Sequence, residues 1–81
     1  MEKRVAVIGI TVSIREHNSK KVNDILSHFG DIIIARMGVP YNERDISVIS
    51  IIVDGTTDEI GALSGKLGNI NGVKVKVALM V

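Results

Sequence analysis

Residues 56–77, Thr56-Thr-Asp-Glu-Ile-Gly-Ala-Leu-Ser-Gly-Lys-Leu-Gly-Asn-Ile-Asn-Gly-Val-Lys-Val-Lys-Val77, read as a capped helix, a glycine turn and an alternating strand. Thr56 and Glu59 have the spacing of a capping box, in which each side chain takes the other residue's backbone amide. Ile60, Leu63, Leu67 and Ile70 recur at helical spacing and form a core-facing stripe. Asn71-Gly72 closes that helix. Val73, Val75, Val77 and Leu79 then alternate with Lys74, Lys76 and Ala78, the pattern of a half-exposed strand whose lysines protect a sheet edge.

Working upstream, Arg4 to Ser13 is rich in Val, Ile and Thr and reads as a strand. Ala6, Ile8, Ile10 and Val12 line one face, and Val5 and Val7 with Gly9 and Thr11 line the other, so both faces are covered. Asn18 or Ser19 caps a helix whose apolar stripe is Val22, Ile25, Leu26 and Phe29, and Gly30 is placed to end it in a left-handed conformation. Asp31 to Pro40 is a second strand, Tyr41 to Arg44 a hairpin loop, Asp45 to Val53 a third strand, and Asp54-Gly55 a turn.

The order βαββαβ predicts a ferredoxin-like α+β sandwich: a four-stranded antiparallel sheet with two helices on one face, the second and fourth strands at its edges. Its other face then presents Val5, Val7 and one parity of the third strand, an apolar surface that a partner normally covers.

Eighty-one residues make one domain, 1–81, near the lower size limit for folding alone. There is no cysteine, which excludes disulfides, thiolate metal sites and a cysteine nucleophile and leaves oligomerisation as the usual reinforcement. The 46% hydrophobic content with only Phe29 and Tyr41 aromatic predicts an aliphatic core continuing into a subunit interface. A net charge of +1 gives no basic stripe, and stacking aromatics are lacking, so nucleic-acid binding is not expected. Lys3-Arg4 before an apolar run has the order of a signal peptide, but Ser13 to His17 offers no small-residue cleavage site. The run is also about half the ~20 residues a membrane helix needs. The expected location is the cytoplasm.

Gly61, Gly65 and Gly68 cluster on one side of the last helix with Ser64 among them. At ~0.8–1 kcal/mol each, three such glycines cost about 3 kcal/mol. They therefore predict close approach by the first helix or a second subunit, or a ligand-facing surface at a subunit interface. Arg36 interrupts an apolar strand; it is solvated at an edge, paired across an interface, or binds an anion or carboxylate through its planar donor fork. The polar loop Ser13-Ile-Arg-Glu-His-Asn-Ser19 is a capped surface loop or, with the helix N-terminus behind it, an anion site. His17 and His28 are too few and too far apart for a metal site. No catalytic triad or glycine-rich phosphate loop is present, so neither enzymatic activity nor a cofactor is expected.

The opening Met1-Glu-Lys-Arg4, the Arg36-Met-Gly-Val-Pro40 segment and above all Ile60-Gly-Ala-Leu-Ser-Gly-Lys-Leu-Gly68, with Gly72-Val-Lys-Val75, carry a resemblance over nearly the whole chain. The chain resembles a short bacterial family of iron-only hydrogenase system regulators, similar in fold to ACT-like domains and to the C-terminal domain of nickel-responsive repressors. The repressors' metal site does not carry over, for want of cysteine and of enough histidines. Nor does their ribbon-helix-helix DNA-binding domain, because here the first strand begins at once. Similarity to ACT-like domains implies paired subunits and a small ligand, such as an amino acid, near the first loop and an interface. That points to Ser13, Arg15, His17 and Asn18 in the loop and to Arg36 and Gly38 in the second strand.

The expected protein is a single ACT-like domain acting as a non-catalytic sensing module. It would form a homo-oligomer, a dimer or a tetramer, whose assembly a small ligand modulates and an unknown protein partner reads. The alternative is a constitutive oligomerisation or interaction module with no small-molecule ligand.

Overall fold

Two eleven-residue strands, β1 (Lys3–Ser13) and β3 (Ile46–Thr56), pair antiparallel along their whole length, from Lys3 opposite Thr56 to Ser13 opposite Ile46. This computed structural model describes residues 2–81; Met1, part of the opening motif, lies outside them. Helix α1 (Ser19–His28) follows β1, strand β2 (Ile33–Tyr41) precedes β3, and helix α2 (Thr57–Gly68) leads into strand β4 (Val73–Leu79). The sheet order is β2-β3-β1-β4 with every pairing antiparallel, so the fold is the ferredoxin-like βαββαβ sandwich with β2 and β4 at the edges.

The core lies on one side of the sheet. Ala6, Ile8, Ile10 and Val12 of β1 and Ile49, Ile51 and Val53 of β3 are buried there against Val22 and Leu26 of α1 and Ile60, Leu63 and Leu67 of α2. These are the helical stripes expected from the spacing. The capping box at the start of α2 is complete: the Glu59 amide donates to Thr56 Oγ1 at 3.1 Å, and the Thr56 amide donates to Glu59 Oε1 at 2.8 Å. The bond from the Thr56 amide, with the Thr56 hydroxyl second, holds the Glu59 carboxyl below its ordinary pKa.

Three local expectations need correcting. Asp54-Gly55 does not turn the chain; both residues extend β3, opposite Val5 and Arg4. Gly55 is a site of close approach instead, since a Cβ there would lie 3.2 Å from Glu59 Oε1 and 3.3 Å from two carbons of the buried Ile32 side chain. Gly30 does not end α1 in a left-handed conformation. The chain runs through Phe29 into a tight turn, Gly30–Ile32, that carries Ile32 into the core. Asn18 occupies the N-cap of α1 without bonding its amides, because its side chain is engaged elsewhere. The left-handed glycine is Gly72, at φ 82°, where a Cβ would meet Glu16 Cγ at 2.5 Å.

Candidate functional site

The position of Arg36 depends on one extra residue. Ile33 opposes Val53, yet Ala35 opposes Ile52, so Ile34 is a bulge that shifts the alternation of β2 by one. Before it, Ile33 packs against the core; after it, Arg36 opposite Ile51 and Gly38 opposite Ile49 turn to the helix side. Met37, Val39 and Tyr41 turn to the open face. Without the bulge, Arg36 would sit on the open face.

On the helix side, β2 is an edge strand that α1 does not fully cover. A groove of about 190 Å³ opens between them. Its polar groups are Ser19 and Asn23 of α1, Arg36 of β2 and Ser47 of β3, and its apolar walls include Val12, Val22, Pro40 and Ile49. Arg36 Nη2 donates to Asn23 Oδ1 at 2.5 Å, which fixes the guanidinium at the mouth of the groove. Among the described residues no carboxylate pairs with Arg36; the two ion pairs are Arg15–Asp45 and Lys20–Asp24. At Gly38 a Cβ would make only an ordinary 3.7 Å contact with Ile49, so packing does not demand glycine there. An aliphatic pocket with a guanidinium at one end suits a small molecule with a carboxylate and a short apolar body. The volume is below the ~300 Å³ at which drug-sized pockets begin.

The sequence-predicted residues separate into groups. Arg36 and Gly38 share the groove. Ser13, Arg15, His17 and Asn18 do not line it. The Ser13 amide donates to the Gly72 carbonyl at 2.8 Å, and the Asn18 side chain donates to the Asn71 carbonyl at 2.7 Å. Arg15 is bound to Asp45 at 2.7 Å on the surface. His17 is exposed, at φ 56°, ending a tight turn. This loop is stitched to the turn before β4, and Asn71 adds a bond to Glu16 at 3.1 Å. The side chains of Arg15, Glu16 and Asn18 therefore already have partners within the chain. Ser19, the last residue of the polar loop, does line the groove, and Asn23 and Ser47 are the groove residues that sequence reading missed as ligand-facing.

The glycines of α2 are not packed against α1. A Cβ on Gly61, Gly65 or Gly68 would meet nothing within 4 Å, and Ser64 donates to the Gly61 carbonyl at 3.2 Å. His28, ending α1, packs edge-on to Phe29 with ring centroids 5.3 Å apart. Among the described residues, no group of three or more His, Asp or Glu could hold a metal ion. No helix among them is long and apolar enough to cross a membrane.

Fold and groove together define a small ferredoxin-like α+β module with a guanidinium-bearing groove beside an edge strand. Comparison with known proteins places it further. Residues 4–77 match the family model TM1266-like, described as "Iron-only hydrogenase system regulator, putative", and the chain belongs to that family. It is also similar to the solved structure of the uncharacterized protein TM1266 from Thermotoga maritima. That match has 40% identity and a TM-score of 0.95, over 99% of this chain and 100% of the other. No curated protein matches the chain.

Proposed function

We propose that this protein is a non-catalytic, cytoplasmic sensing module of the iron-only hydrogenase system, in which a small carboxylate ligand stabilises one assembly state of an ACT-like homo-oligomer. The supporting observation is the groove between α1 and β2. Its guanidinium is oriented by Asn23 and has no carboxylate partner among the described residues, and its walls are aliphatic. An amino acid of modest size matches that chemistry, its carboxylate meeting Arg36 and its side chain meeting Val22 and Ile49. The groove lies against β2, whose other face carries Met37 and Val39, so a bound ligand can bias how copies of the chain meet, by as much as its differential affinity for the two states. A protein partner would then read the assembly state. A net charge of +1 weighs against direct DNA contact.

The competing reading is a constitutive oligomerisation module, favoured by the exposed Met37, Val39 and Ile52 on the sheet's open face. Thermal melting over a panel of amino acids and other small carboxylates separates the two. A ligand at 100 times its dissociation constant contributes about 2.7 kcal/mol. In a domain of this size, that raises the midpoint by roughly 11–22 °C. The sensing reading predicts such a saturable shift and its loss in Arg36→Gln. A flat panel leaves the constitutive module.

A further inference from the structure

The face of the sheet turned away from the helices carries an ordered pattern. The register sets Ala35, Ile52, Val7 and Ala78 in one row across all four strands. The next row is Met37, Ser50, Gly9 and Lys76, and the one after it Val39, Val48, Thr11 and Lys74. Apart from Ser50, apolar side chains thus fill the β2–β3 half and the row through Val7, while the lysines stand at the β4 rim. Met37 is 67% exposed, Val39 51%, Tyr41 43% and Ile52 38%, so the surface is bare in the isolated chain.

We infer that this open face is where two copies of the chain pack, sheet against sheet. The inference deepens the assembly half of the proposed function by naming its surface. Three observations favour a second copy over another occupant. The first is size. The strands are seven to eleven residues long. At ~4.8 Å between strands and ~3.3 Å per residue the face measures roughly 450–700 Å² in plan. A specific interface takes about 600–1,000 Å² of accessible surface from each partner, and a corrugated face exposes more than its plan area. The second is anatomy: an apolar surface over β2 and β3 with Lys74 and Lys76 at one margin has the apolar, charged-rim layout of an interface. The third is shape. Ser50 and Gly9 form a shallow centre, with nothing within 4 Å of where a Gly9 Cβ would stand, and Met37 rises beside it. A two-fold dimer needs only one such self-complementary patch, and sheets packed face to face interdigitate in this way.

The test is sedimentation velocity across a wide concentration range for the wild type, Ile52→Lys, Met37→Glu and the control Lys66→Glu on α2. Ile52 lies on a central strand, so its substitution cannot disturb an edge-to-edge pairing. Sheet-to-sheet packing predicts a wild-type dimer or larger whose dissociation constant rises about 30-fold or more in both face variants and holds in the control. Should a face variant fail to fold, Ser50→Cys supplies the chain's only thiol at the centre of the face, and a short bismaleimide should link it into a covalent dimer. Wild-type assembly that Ile52→Lys leaves intact, or no cross-linking at Ser50→Cys, overturns the face while sparing the assembly reading. A wild type that stays monomeric up to millimolar concentration overturns both.

Discussion

Replacing Gly61 and Gly65 with alanine should stabilise this protein. A glycine inside a helix costs about 0.8–1 kcal/mol relative to alanine, because it gives up more conformational freedom on folding. That cost is retained where a neighbour needs the space. Here none does: an added Cβ at either position has nothing within 4 Å, and both residues are exposed. The double substitution should therefore gain about 1.6–2 kcal/mol. At roughly 4–8 °C per kcal/mol, the melting midpoint should rise by about 6–16 °C. Circular dichroism melts read the midpoint, and sedimentation of the same samples reads the assembly, which should keep its size because it uses the opposite face of the molecule. A lowered midpoint or a smaller assembly would refute this reasoning. It would mean that another copy or a ligand closes onto the α2 glycines, and that they, more than the sheet, form the contact.

Other outcomes follow from single residues. Gly72→Ala should lower stability by more than the ~1–2 kcal/mol of a left-handed residue, because its Cβ would also meet Glu16 Cγ at 2.5 Å. Glu16→Ala should relieve only the Cγ part of the second effect, because the Glu16 Cβ at 3.0 Å and the Ser13 Cβ at 3.2 Å remain, and denaturant titration of the double variant reads that part. Leu63→Ala, at a site with 0% exposure between sheet and helices, should cost about 2–5 kcal/mol in the same assay. Thr56→Ala removes the acceptor for the Glu59 amide and should cost about 0.5–2 kcal/mol. Glu59 has a folded pKa below its unfolded value. Its contribution is therefore present above the ordinary carboxylate range and lost as pH falls through the lowered value. Glu59→Gln should flatten the acid limb of the stability–pH curve.

The element order, both core stripes and the capping box were legible because each rests on local spacing. Ile60, Leu63 and Leu67 lie on one helical face whatever surrounds them, and Thr56 finds Glu59 within a single turn. What required coordinates was long-range register. Ile34 looks like any other residue in an aliphatic run, yet as a bulge it moves Arg36 from the open face into the groove. Gly55 after Asp54 has the composition of a turn. It is a strand residue opposite Arg4, closely approached by Ile32, which lies distant in sequence. The polar loop from Ser13 to Asn18 reads in sequence as a capped surface loop or an anion site. Its partners Asn71, Gly72 and Asp45 come from two other connections, which no local pattern announces. Asn23 is on the polar side of α1 by spacing, and its role in orienting Arg36 follows from how α1 crosses the sheet.

The central claim is that a ligand in the Arg36 groove shifts assembly, and its most direct test is sedimentation velocity. Wild type and Arg36→Gln would be titrated with whichever small carboxylate gives the largest thermal shift. The account predicts a saturable change in the wild-type sedimentation coefficient and none in Arg36→Gln, with both proteins equally folded. Identical sedimentation with and without the ligand in the wild type, or an equal response in Arg36→Gln, would contradict it.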